Sequence, residues 1–323
     1  MEKPMTTTPI SHGGGYLRAQ SVSIQVSDRT KCTAGCQMCI SRTTPGQDPV
    51  CGAIKLCSMR RLQVGLGFSA RVGATHAILT GRADPTQEDA GYLCDLIRVA
   101  RQHIPLVDMH TNAFLMQTGM PKSDLLGRLS EAGLTMLTLS VASFDDEINQ
   151  RIMQIKRNPA ELIPRALHEE LLVRCSLVVT RSSVMTFEDV YQFILRAGQL
   201  GVHQVVVREI WIPEEPAIGV DRTVYEWNLA NKVDIGPIQR FFEELAKCPS
   251  ASRERKIRQI EPLPWGTPVF VVGHGMFSNL EHEVNVTFAR CDEATTGSVI
   301  KSIVHRPDGH GYRNWDHMGD ILY

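Results

Sequence analysis

The feature that most constrains this chain is a strand-forming run that returns about every 30 residues between Ser21 and Pro213. The runs are Ser21–Ser27, His76–Thr80, Val107–Thr111, Met136–Val141, Arg174–Thr180 and Gln204–Ile210, each read as brief and apolar. Helix-like stretches with one apolar stripe lie between them: Asp89–Arg101, Ser123–Ala132, Asp145–Met153, Pro159–Glu170 and Phe187–Leu200. Strands joined by so long a connection pair in parallel, because a hairpin needs only a few linking residues. Six such units predict an α/β fold, a partial (βα)6 TIM-like barrel whose ligands sit at the carboxyl ends of the strands.

After Pro213 the rhythm stops. A polar linker, Pro213–Asp221, leads to a helix near Ile238–Ala246 and then to β-like runs at Val269–Val272 and Glu283–Ala289. Val299–Val304, the turn Pro307-Asp308-Gly309 and Gly311–Trp315 read as a closing hairpin. The expected organisation is a mobile tail over 1–20, the barrel over 21–215 and a smaller α+β cap over 216–323 that closes the substrate mouth.

Charge narrows the partners. With 34 basic and 35 acidic residues the net charge is −1, which argues against long nucleic acid held through its phosphates. No apolar stretch is long enough to span a bilayer, and the polar first residues lack the apolar core of a signal peptide. Nine cysteines is an odd number, so reduced thiols in a cytoplasmic protein, some of them metal ligands, are expected rather than a disulfide framework.

Directly after the first strand stands Cys32-Thr-Ala-Gly-Cys36-Gln-Met-Cys39. Three thiolates in eight residues, on a loop made pliable by Gly35, can converge on one metal centre, and thiolates are the ligands of iron–sulfur clusters. A [4Fe–4S] cubane takes one ligand per iron, so three cysteines leave one iron open. Structural zinc would want a fourth Cys or His in a recognised pairing. Cys51 and Cys57 follow at a spacing that matches no common zinc pattern.

Cys-x3-Cys-x2-Cys after the first strand of a βα array resembles the radical S-adenosylmethionine superfamily, over about Ser21 to Pro213. The resemblance implies that the open iron takes the amino and carboxylate groups of S-adenosylmethionine, cleaved by one electron to a 5′-deoxyadenosyl radical. The second strand ends in Gly81-Arg82-Ala83-Asp84-Pro85, similar to the family's Gly-Gly-Glu-Pro stretch. That assigns Gly81 and Asp84 to the methionine amino group, while Asp84 also suits a helix N-cap. His110-Thr111-Asn112-Ala113 is similar to Thr-Asn-Gly and brings in Thr111. Ser140-Val-Ala142-Ser143 resembles Ser-x-Asp-Ser, with Ala142 in place of the acid, and assigns Ser140 to the cofactor's methionine or ribose. Arg181 closes the fifth strand and Arg208 sits in the sixth, where a guanidinium can grip the cofactor carboxylate. Met38 stands where many members carry an aromatic residue near adenine.

The resemblance therefore implies a radical enzyme that abstracts hydrogen from a small polar metabolite, a nucleoside or sugar, and draws electrons from a flavodoxin or ferredoxin. A peptide-modifying member of the superfamily is the alternative, and a non-catalytic zinc or iron–sulfur protein is the rival from another class. Cys51, Cys57, Cys94, Cys175, Cys248 and Cys291 are formally available as hydrogen-atom donors. The final hairpin is similar to that of an auxiliary-cluster domain, yet no cysteine follows Cys291, so one cluster is expected. His305, His310, His317, Asp308 and Asp316 read as polar flanks of the hairpin turn. His12-Gly-Gly-Gly lacks a Gly-x-Ser-x-Gly elbow, and Gly65-Leu-Gly67 lacks the third glycine of a dinucleotide fingerprint.

Overall fold

The computed structural model describes residues 11–12, 15–43, 54–212, 220–248, 256–263, 266–273, 280–290, 299–313, 315 and 321–323. Cys51, Cys291, His317, Asp316 and most of the Pro213–Asp221 linker lie outside them.

A short hairpin, β1 (Ser11–His12) and β2 (Gly15–Tyr16), leads into β3 (Arg18–Gln25). The loop after β3 holds the single turn α1 (Ile40–Thr43), and α2 (Met59–Arg71) crosses to β4 (His76–Thr80). Then follow α3 (Ala90–Arg101), β5 (Leu106–Thr111), α4 (Leu125–Glu131), β6 (Met136–Ser140) and α5 (Asp146–Met153). α6 (Ile163–His168), β7 (Leu172–Val178), α7 (Phe187–Gln199) and β8 (Gln204–Arg208) complete the series. Strands β3 to β8 are hydrogen-bonded in sequence order, every pair parallel. The sheet does not close, so the architecture is the expected partial barrel.

Local chemistry accounts for the helix starts. Asp89, Asp145 and Thr186 each accept a hydrogen bond from a backbone N–H in the first turn, and Thr186 with Asp189 forms a capping box. Helix α2 was not expected, nor was the later helix over Arg222–Asn231. Gly65 and Gly67 lower the helix propensity of Met59–Arg71, but the helix buries Leu62 and Leu66 completely. Burial overrides propensity there.

The last part of the chain contributes two helices, α8 (Arg222–Asn231) and α9 (Gly236–Lys247), and strands to both edges of the same sheet. β9 (Ile257–Ile260), β10 (Val269–Val272) and β11 (Val284–Ala289) form an antiparallel meander, and β11 pairs in parallel with β8. β12 (Val299–His305) pairs in parallel with β3 and antiparallel with β13 (Gly311–Tyr312), the expected hairpin. The parallel series is thus eight strands long, β12-β3-β4-β5-β6-β7-β8-β11. Neither edge partnership is visible locally, since each joins segments far apart in sequence.

The strands are not apolar throughout, as first read. On β5, Val107 and Met109 enter the hydrophobic core with Leu93, Leu96 and Ile97 of α3. Asp108 and His110 point to the opposite face, the inside of the barrel, as period two requires. Polar residues of neighbouring strands share that face, including Thr138, Arg174 and Gln204. Among the described residues no helix is long and apolar enough to cross a membrane.

Candidate active site at the barrel mouth

The cysteine loop crosses the carboxyl ends of the parallel strands and is tied to several of them. Its Thr33 N–H donates to Gln87 Oε1 at 3.2 Å, and Gln87 returns a bond to the Lys31 carbonyl at 3.0 Å. Gln37 N–H donates to Ile152 O at 2.9 Å, at the end of α5. Arg42 donates to the Gly35 carbonyl at 3.1 Å and pairs with Asp221, which caps α8. Gly35 passes so close to Gln154 that a β-carbon there would collide with its amide oxygen. A larger residue there would have to displace the Gln154 side chain.

Cys32 is exposed, Cys36 and Cys39 are half-buried, and all three are free thiols. Two N–H groups aim at the Cys32 sulfur, Ala34 N and Asn112 Nδ2, each at 3.5 Å. The Cys36 sulfur lies 3.7 Å from Met153 Sδ. Burial pushes the Cys36 thiol well above its ordinary range, and the neighbouring Cys39 and Cys32 add to the shift. Cys32 is raised as well, although its residue surface is open to solvent, by the protein packed about its sulfur and by the nearby Asp84 and Cys39. Apposed, desolvated thiols resist ionisation until a cation compensates their charge, as a metal centre does. Among the described residues no three His, Cys, Asp or Glu side chains converge around one point as ligands of a single ion would. The fit of a cubane therefore rests on donor chemistry: three thiols on one loop, one for each of three irons, with N–H donors to sulfur of the kind that tune such clusters.

Behind the loop, Asp84 is 6 % exposed and ties the ends of β4 and β5 together. It accepts from Thr86 N at 2.9 Å and from Asn112 N at 2.6 Å, and Thr111 Oγ1 lies 2.9 Å from both carboxylate oxygens. Burial pushes its carboxyl up, against the donors Thr86, Asn112 and Thr111. The N-cap role expected of Asp84 is present, and Asp84 also braces the turn that carries Asn112 to Cys32. Ala113 closes this turn in the left-handed region, φ +61°, where the resembled motif has glycine. A side chain is strained there.

The remaining candidates are spread round the same mouth. Gly81 follows the end of β4, where a β-carbon would lie 3.0 Å from the Ala83 carbonyl. Met38 packs with Ala34, Ala142, Ile152 and Met153 in a small apolar cluster beside the loop. Ser140 ends β6 in register with Ser176 of β7. Arg208 ends β8, and its Nε donates to Ser176 Oγ at 2.9 Å. Arg181 is exposed, and its Nε donates to the Lys232 carbonyl at 3.2 Å. Of the cysteines outside the motif, Cys57, Cys94 and Cys175 are buried in the hydrophobic core. All three are 4 % exposed or less. Cys248 is exposed beyond α9.

A second layer was not singled out from the sequence. Asp108 has no exposed side-chain surface. Thr138 Oγ1 lies 2.9 and 2.8 Å from its two oxygens, Arg174 Nη1 donates to Oδ2 at 2.9 Å, and His110 Nε2 stands 3.1 Å from the same oxygen. Burial opposes the charge of Asp108, yet the His110 and His76 rings and the Arg174 guanidinium outweigh it and hold the carboxyl well below the usual range. Burial likewise lowers His110, against the opposing pull of Asp108. The available signal was the alternation Val107-Asp108-Met109-His110, titratable residues at every second place of a buried strand.

No family model matches the sequence, and no curated protein matches it. Solved structures do. Streptococcus suis SuiB bound to S-adenosylmethionine superposes with a TM-score of 0.58 at 12% identity, over 94% of this chain and 62% of that one. SuiB bound to the precursor peptide SuiA gives 0.50 at 16% identity, over 71% and 46%. Native anSMEcpe with bound AdoMet gives 0.50 at 13% identity, over 94% and 77%. The chain spans less than two thirds of the length of SuiB. At such identities the likeness establishes the fold, which is the one these proteins share.

Proposed function

We propose that this chain, whose fold is that of radical S-adenosylmethionine enzymes, is itself such an enzyme. The observation that carries the reading is the placement of Cys32, Cys36 and Cys39. They are three free thiols on one loop, tied to strand ends of a parallel partial barrel, with N–H donors on the Cys32 sulfur. In this reading the three cysteines hold one [4Fe–4S] cluster, and S-adenosylmethionine binds beside it. When bound, the two supply a one-electron cleavage that yields a hydrogen-abstracting 5′-deoxyadenosyl radical.

The protein's part is to bind, orient and shield. Gly81 lets backbone approach the methionine amino group, and Asp84 with Thr111 fixes the strand ends that frame it. Ser140 and Arg208 meet the cofactor's polar portion, Met38 walls its adenine side, and Arg181 lies at the rim. The substrate is a small polar metabolite, a nucleoside or sugar, taken into the polar interior of the barrel. Electrons come from a flavodoxin or ferredoxin in a cytoplasmic setting. A peptide substrate draws its support from the likeness to SuiB with its bound peptide, which this chain matches over 46% of that protein's length. The polar barrel interior favours the metabolite.

The test is anaerobic reconstitution with iron and sulfide, followed by dithionite and S-adenosylmethionine. About four irons per chain and 5′-deoxyadenosine formed by the unaltered protein, and by none of Cys32→Ala, Cys36→Ala and Cys39→Ala, are expected. A loaded cluster that yields no 5′-deoxyadenosine above those controls rejects the catalytic reading.

A further inference from the structure

Inside the barrel, below the cysteine loop, one nitrogen has a fixed chemical character and no protein partner. The His110 ring is 23% exposed and Asp108 beside it is 0% exposed. His110 Nε2 is bonded to Asp108. Its other nitrogen, Nδ1, has no hydrogen-bond partner among the described residues and is not among the buried polar atoms that lack one. Nδ1 is therefore open to solvent. Since Val107 and Met109 occupy the outer face of β5, that opening is into the barrel interior.

The network decides which nitrogen carries the proton. Asp108 is ionised against Arg174 and can only accept. His110 Nε2 must then donate, and in a neutral ring Nδ1 is left as an acceptor. Thr138 and Arg174 hold the carboxylate, and Gln204 Oε1 accepts from Arg174 Nε at 2.9 Å and Nη2 at 2.7 Å. Four strands, β5 to β8, thus fix one tautomer of one ring. A carboxylate that orients an imidazole in this way also stabilises the imidazolium formed if the ring takes a proton.

We propose that His110 contacts the substrate directly, its Nδ1 accepting a hydrogen bond from a hydroxyl or ammonium group. Asp108, Arg174 and Thr138 are positioning residues. The assignment rests on the proposed radical enzyme only for the location of the substrate in the barrel. It names the class: a compound with an O–H or N–H donor on the part that enters the barrel. A group offering only acceptors, such as a bare carboxylate, meets Nδ1 lone pair to lone pair and is disfavoured. If the donor proton moves, it passes to Nδ1 and leaves the substrate one unit more negative, with the imidazolium facing Asp108.

Two measurements test this, and neither depends on turnover. In the first, histidine nitrogen-15 NMR of the full chain, before any cluster is built, identifies the His110 tautomer by comparison with His110→Phe. The Nε2–H form is expected, and an Nδ1–H ring overturns the proposal. In the second, ligand-observed NMR on the reconstituted protein uses cytidine, D-ribose and L-lysine as donor probes and succinate as an acceptor-only probe. At least one donor probe is expected to bind, at least tenfold more weakly to His110→Phe, with partial return in His110→Asn, whose amide oxygen can stand where Nδ1 stood. Equal binding by wild type and His110→Phe, preference for succinate, or binding of no donor probe overturns the assignment. Failure of the radical reading shows separately, as absence of 5′-deoxyadenosine from the wild-type protein.

Discussion

Arg174 Nη1 lies 2.9 Å from Asp108 Oδ2, across 66 residues of sequence and two strand pairings. The Arg174 side chain is 14% exposed and that of Asp108 is 0% exposed, so Asp108 has no water to fall back on and Arg174 little. Removing one partner strands the other. Asp108→Ala is expected to cost about 3–5 kcal/mol, measured by urea unfolding. The double change Asp108→Ala with Arg174→Met is expected to cost less than the sum of the singles, because no isolated charge is then left buried.

Asp84 leads to a second prediction. Asp84→Asn keeps the shape but turns one acceptor oxygen into an N–H donor among Thr86 N, Thr111 Oγ1 and Asn112 N, all donors to it now. One of those groups loses its partner, at a cost of about 1–3 kcal/mol. Chemical denaturation measures that loss. Iron bound per chain after reconstitution is expected to fall with it, since Asn112 reaches Cys32.

His305 predicts an acid sensitivity. The ring is wholly buried and its pKa falls to about 4, chiefly through burial, with Asp308 working to raise it and His310 to lower it. Between pH 6.5 and 4 the unfolded chain takes up a proton there and the native ring does not. The contribution of this ring to stability is therefore intact above pH 6.5 and lost as pH falls toward 4, on the order of 3 kcal/mol. His110 and His203, also lowered by burial, act in the same direction. Unfolding free energy against pH is expected to slope less over this window in His305→Gln.

Two glycines of one helix separate local from tertiary effects. A β-carbon at Gly67 would find its nearest neighbour at 4.0 Å, so Gly67→Ala is expected to stabilise by about 0.5–1 kcal/mol through helix propensity. At Gly65 the same carbon would lie 2.6–2.9 Å from the phenol of Tyr323. That ring also packs edge-on against Phe68 and over Gly311. Gly65→Ala is expected to destabilise by about 1–3 kcal/mol despite its better propensity. Melting temperatures of the two variants should move in opposite directions.

Much of the scaffold was legible because its determinants are local. Spacing gave the six central strands within a few residues of their observed ends, and the polar turn after His305 gave the β12–β13 hairpin. The Cys32-x3-Cys36-x2-Cys39 spacing marked the candidate site, since ligands on one short loop are neighbours in any fold. Helix α2 was missed: its two glycines lower helix propensity, and the neighbour that Gly65 accommodates is a ring 258 residues away.

The chain's own order of residues thus settled which segments are the six central strands, that these run parallel, and which loop carries the thiols. These follow from backbone periodicity and from link lengths that forbid anything but crossovers. Tertiary structure alone decided the rest. It set β11 beside β8 and β12 beside β3, turned Asp84 into a brace between two strand ends, and gathered Asp108, Thr138, Arg174 and His110 from three strands onto one inner face. The physical reason is common to all three. A buried charge or an open sheet edge must find partners, but which partner it finds depends on the register and twist of strands that no local run of residues records.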